Sequence, residues 1–119
     1  MEFTFDEKAA CFYALEIIGE CDGQLTEEEK DLLIHLMSSK FGVTFDDMIL
    51  GVHLKYHDDR DAGKVLGNMP KAKRNIFQEA MEEMAGIDPM NIHKCIELYY
   101  FYNSIGIHAD WEKMKSQIR

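Results

Sequence analysis

Apolar residues recur at three- and four-residue spacing almost from end to end of this chain, and only two prolines and eight glycines interrupt them across 119 residues. That spacing follows the turn of an α-helix, whereas a half-buried strand would alternate apolar and polar positions. The chain therefore reads as all-α: a compact bundle of about seven helices from two similar helical hairpins, forming one domain over residues 1–119. A domain of this length is expected to bury roughly two-thirds of the surface that its unfolded chain exposes.

Capping signals divide the pattern. A first helix near residues 5–20 carries Ala10, Tyr13, Ala14, Ile17 and Ile18 on one face and Phe12 and Leu15 on the other, which predicts a central position. Thr26 with Glu29 makes a capping box for a second helix, closed by Gly42, with Leu32, Leu33, Leu36, Met37 and Phe41 inward. Thr44 with Asp47 opens a third, whose inner stripe is Phe45, Met48, Ile49, Val52 and Tyr56. Asp58, Asp59 and Asp61 suit the first turn of a short fourth helix burying Val65, Leu66 and Met69. Pro70 suits the first turn of a fifth, which Gly86 ends. Asp88-Pro89 reads as cap and first residue of a sixth helix running to about Ile105, and Trp111, Met114 and Ile118 mark a last amphipathic stretch. Ala14 to Val43 and Ala80 to Ile107 share one order of features, a duplicated hairpin able to close around a pseudo-twofold core.

A net charge of −9 repels nucleic-acid phosphates and anionic membrane surfaces, and the densest basic group, Lys71, Lys73 and Arg74, has no interleaved aromatics for base stacking. Nucleic acid and membrane are therefore poor partners, and a protein partner or a divalent cation is the better expectation. No apolar run approaches the roughly 18 residues of a membrane-spanning helix. The first residues, Met1 to Glu7, carry acid where a secretory signal carries Lys or Arg, so the expected location is cytoplasmic. Cys11, Cys21 and Cys95 form no Cys-x-x-Cys pair and read as buried reduced thiols; Glu20 and Asp22 beside Cys21 would raise its pKa.

The clearest local landmark is the turn Cys21-Asp22-Gly23 between the first two helices. Structurally, Gly23 supplies a turn position, Asp22 bonds nearby backbone donors and Glu29 completes the capping box. Asp22, Gly23, Leu25 and Glu29 also reproduce the second half of an EF-hand loop, with Glu20 at its third position, but Ile18 stands where the first ligand must be and cannot bind a hard cation. The stretch Ala14-Leu15-Glu16-Ile17-Ile18-Gly19-Glu20-Cys21-Asp22-Gly23-Gln24-Leu25-Thr26-Glu27-Glu28-Glu29 resembles the TerB-like domains, the family of tellurite-resistance TerB and of the N-terminal region of a membrane-anchored J-domain co-chaperone. The resemblance implies an all-α domain of about this size, with paired acidic turns offering a metal- or ligand-binding patch linked to stress responses. By that likeness Asp22 and Glu29 become tentative metal ligands. The second turn departs from the pattern: Ala85-Gly86-Ile87-Asp88-Pro89-Met90-Asn91 lacks the Asp before its glycine, and Asn91 is read at the place of the Glu.

Two weaker candidates remain. His53, His57 and Asp61 stand four apart and would share one face of a continuing helix, a spacing at which imidazoles can bind a transition metal, although Asp58 and Asp59 signal a helix break. Within Tyr99-Tyr100-Phe101-Tyr102 successive side chains turn by about 100°, so either the bundle surrounds this helix or one of Tyr100 and Tyr102 joins an exposed partner patch. These residues point to a non-enzymatic interaction or stress-sensor module, a monomer or weak dimer, that presents an acidic surface to a protein or a divalent cation. The alternative is a metal-assisted hydrolase with carboxylates and His93, His108 or the His53/His57 pair as ligands.

Overall fold

A computed structural model describes residues 1–20 and 23–118. They form seven α-helices and one 3-10 turn, with no strand among the described residues: α1 Phe5–Glu20, α2 Glu27–Ser39, α3 Phe45–Ile49, the 3-10 turn Val52–Leu54, α4 Asp59–Gly67, α5 Lys71–Gly86, α6 Ile92–Ser104 and α7 Trp111–Lys115.

The first helix is central, as its all-round apolar pattern predicts. Ala9, Ala10, Cys11, Phe12, Ala14, Leu15, Ile18 and Gly19 are buried, and α2, α4, α5, α6 and the 3-10 turn all pack on it. Small residues set the spacing. A methyl group on Gly19 would come within 2.6 Å of Leu25 Cδ2 and 2.8 Å of Met84 Cε, so the tips of these two side chains occupy the space that the glycine leaves. At Gly67 an added Cβ would stand 2.6 Å from the Ser104 carbonyl oxygen, so the approach of α4 to α6 needs a glycine there.

The predicted caps of α2, α3 and α4 are present. Thr26 Oγ1 accepts the Glu29 N–H at 3.1 Å while Glu29 Oε1 accepts the Thr26 N–H at 2.7 Å, and Thr44 and Asp47 repeat that box. Asp58 Oδ1 accepts the Asp61 N–H at 2.8 Å. Three boundaries differ from expectation. The third helix stops at Ile49 because Gly51 takes a left-handed conformation (φ +79°), and Val52 then turns inward through the 3-10 segment. As a result Phe45 and Ile49, expected in the core, face solvent at 79% and 67% exposure. Pro70 stands one residue outside α5 as its cap residue.

The sixth helix begins at Ile92 rather than Pro89. Asn91 Oδ1 accepts the Lys94 N–H at 2.9 Å, while the Lys94 ammonium donates to the carbonyls of Ala85, Asp88 and Pro89 at 3.1, 3.2 and 3.5 Å and holds that segment as a loop. The duplicated hairpins thus match differently from the sequence reading. Asn91 occupies the cap position of Thr26, and Lys94 occupies the position of Glu29.

Candidate interaction surface

The equivalent residues Glu29 and Lys94 are the two charged side chains buried to 1% exposure among the described residues. Burial pushes the Glu29 carboxyl up, but the Thr26 backbone N–H, the Asp88 side chain, the Thr26 hydroxyl and the Lys94 ammonium together hold it below the usual carboxylate range. The Lys94 ammonium of one hairpin therefore lowers the pKa of the Glu29 carboxyl of the other through its charge, while its own hydrogen bonds go to backbone carbonyls. A divalent cation bound at Glu29 would compete with Lys94 for the same negative charge. Asp22, the other ligand read from the sequence, lies outside the described residues, as does Cys21. Gly23 is described, with φ +136° and its N–H on the Glu20 carbonyl at 3.0 Å.

His53, His57 and Asp61 do not share a helix face. His53 is in the 3-10 turn, His57 in the following loop and Asp61 in the first turn of α4, since the 3-10 turn ends at Leu54 and Asp58 caps a new helix between them. Among the described residues no group of three or more His, Cys, Asp or Glu side chains is placed to hold a metal ion. Burial raises the pKa of both Cys11 and Cys95, and the Glu7 charge raises Cys11 further, so neither is an activated thiolate.

A carboxyl cluster that the sequence did not single out lies where α1, α4 and α6 meet. The Tyr13 hydroxyl donates to Asp59 Oδ1 at 2.8 Å, which together with burial pushes the phenol pKa up. Glu97 Oε2 is shielded from water without a protein donor, and the group opposite is the Asp59 carboxylate. Burial, a hydrogen bond with Asp59 and the Asp59 charge raise the Glu97 pKa to about 7, so Glu97 takes up a proton near neutrality. Glu16, one helical turn from Tyr13 and Glu20, is raised by burial and by the Glu20 charge, against the lowering effect of His53.

Beside the pair, Ile17, Glu20, His93, Ile96 and Glu97 line an open recess of about 240 Å³. Among the described residues no Lys or Arg ion-pairs with Glu16, Glu20, Asp59 or Glu97, although seven ion pairs form elsewhere. Ile92, Ile96 and Tyr100, spaced four apart on α6, are exposed along one helix face next to the recess. Tyr100 is thus the aromatic of its run that reaches the surface. Phe101 is in the core, Tyr99 stacks edge-on against Trp111, and Tyr102 donates to Glu82 at 2.8 Å.

The larger concavity, about 460 Å³, lies between α5, α6 and the C-terminal segment, with Ala85, Met90, Leu98, Ile107 and Met114 as its apolar floor. It gathers no comparable set of shifted groups. The carboxyl cluster escaped the sequence reading because its members are far apart in the chain; the i, i+4 stripe Ile92, Ile96 and Tyr100, which an amphipathic count leaves outside the core, was its one legible signal. No protein-family model, no curated protein and no solved structure matches this chain.

Proposed function

We propose that this domain is a non-enzymatic interaction module whose α1–α4–α6 face docks a basic, amphipathic segment of a partner protein. The observation that supports this reading most is the juxtaposition of the recess at Glu20 and Glu97, where no described Lys or Arg forms an ion pair, with the exposed stripe Ile92, Ile96 and Tyr100. A helix carrying Lys or Arg on one face and aliphatic residues beside them would place its cations at the carboxylates and its apolar groups on the stripe. The −9 charge of the whole chain would speed such an encounter and make it sensitive to salt. A TerB-like stress role stays within this proposal; the Thr26–Glu29 box and the paired hairpins support it.

The test is affinity capture from the cells that express the protein, using wild type beside a Glu20→Lys, Ile96→Glu double variant, with elution by rising salt. The proposal expects a protein retained by wild type, released by salt and lost from the variant. Equal retention by both baits would remove this face from consideration.

A further inference from the structure

The concavity of about 460 Å³ between α5, α6 and the C-terminal segment falls in the size range of small-molecule sites, and it shares no lining residue with the recess at Glu97. Its C-terminal wall is fastened to α6. The Cys95 thiol donates to the Met114 carbonyl at 3.5 Å, and Tyr99 stacks edge-on against Trp111. Leu98 is buried in the lining, while Met90, Ile107 and Met114 are half-buried around it. The flexible thioethers of the two methionines let such a lining follow the outline of an apolar body. Gly86 adds no side chain, and a Cβ there would meet nothing within 4 Å.

The charged side chains of this lining are Glu82, Asp110 and Lys113. Both carboxylates are oriented by a neighbour: the Tyr102 hydroxyl donates to Glu82 Oε2 at 2.8 Å, and Asp110 Oδ1 accepts the Lys113 N–H at 3.1 Å. Burial and the Glu82 carboxylate push the Tyr102 phenol pKa up, which keeps its proton on this bond. Among the described residues Glu82 Oε1 and Asp110 Oδ2 accept no hydrogen bond from the protein, and neither carboxylate forms an ion pair. Glu82 also stands near the C-terminal end of α5, whose last turn holds no basic residue, so the helix dipole opposes its charge. The helix itself gains nothing from a carboxylate at that place.

We infer that this cavity binds a small amphiphilic cation, with its apolar body on Leu98, Ile107 and the two methionines and its ammonium at the Glu82 and Asp110 carboxylates. Charge decides between a cation and an anion of the same shape. Two carboxylates against the Lys113 ammonium leave the lining negative, and the −9 charge of the chain adds to that field. An ammonium can donate to the oxygens that the protein leaves without a donor, whereas an anion would find Lys113 alone. The inference goes beyond the docking of a protein segment and stands whether or not the α1–α4–α6 face binds a partner.

Titration of the ¹⁵N-labelled whole chain with decylammonium chloride, and with sodium decanoate as the anion of equal length, tests this below the concentrations at which either forms micelles. The expected result is saturable amide shifts at Ala85, Gly86, Leu98, Ile107 and Met114 for the ammonium, with a dissociation constant on the order of 100 µM, and binding at least about tenfold weaker for decanoate. Glu82→Gln with Asp110→Asn, which keeps a capping side chain, should weaken the ammonium by about tenfold, and Lys113→Gln should strengthen it. Glu28→Gln with Asp31→Asn removes the same charge from the exposed face of α2 and should leave binding unchanged. Shifts that avoid the cavity or do not saturate, decanoate binding as tightly as the ammonium, or wild-type affinity in the Glu82/Asp110 variant overturns the inference. Should that variant lose its helical spectrum, Lys113→Gln decides: unchanged or weaker ammonium binding overturns it.

Discussion

Replacing Glu97 by Gln isolates the proton that Glu97 takes up. The Glu97 pKa moves from an ordinary 4.5 to about 7 in the folded chain, so the group binds a proton more tightly when folded than when unfolded. Its contribution to stability is fully present below pH 4.5 and is lost as pH rises through about 7. Two and a half pH units correspond to a ceiling of ~3.4 kcal/mol. Glu97 is only half-buried, and screening by solvent reduces the effect to roughly 1 kcal/mol. A glutamine amide offers Asp59 an N–H at every pH, so Glu97→Gln should leave stability nearly unchanged at pH 5 and raise it by roughly 1 kcal/mol at pH 8, or about 3–5 °C in Tm. Thermal and urea unfolding followed by circular dichroism at the two pH values measure this. An equal effect at both, or a loss at pH 8, would refute the raised Glu97 pKa.

Three further outcomes follow from the packing. Lys94→Met leaves the Ala85, Asp88 and Pro89 carbonyls without their buried donor and should cost about 1–3 kcal/mol in urea unfolding. Gly67→Ala drives a methyl group toward the Ser104 carbonyl at 2.6 Å and should cost about 1–3 kcal/mol, whereas Gly86→Ala, with open space at that position, should cost far less by the same assay. Cys11 and Cys95 should react with a thiol reagent at neutral pH only at the rate of unfolding; prompt labelling of either in the native chain would contradict their burial.

Much of the fold was legible because it rests on local rules. Thr26 and Glu29, Thr44 and Asp47, and Asp58 each cap within three residues, and the all-round apolar pattern of α1 marks it as central. The misreadings share a cause: a long-range contact or a backbone choice overrode a local signal. Pro89 looks like a helix start, yet the Lys94 ammonium holds the carbonyls around it in a loop. Phe45 and Ile49 fit an inward stripe only if the helix continues, and Gly51 ends it. The loop after Leu54 and the Asp58 cap separate His53, His57 and Asp61. The Tyr13–Asp59–Glu97 cluster joins residues from three separate helices, with Tyr13 and Asp59 46 positions apart, which spacing rules do not reach. Its ingredients are ordinary surface acids until three helices meet.

The most direct test of the docking face is a titration of ¹⁵N-labelled protein with a synthetic helical peptide of Leu and Lys, followed by amide chemical shifts at low and high salt. The account predicts salt-sensitive shifts concentrated at Ile17, Glu20, His93, Ile96 and Glu97, and none with a peptide in which Glu replaces Lys. Shifts that avoid this face, or that the acidic peptide produces equally well, would contradict it.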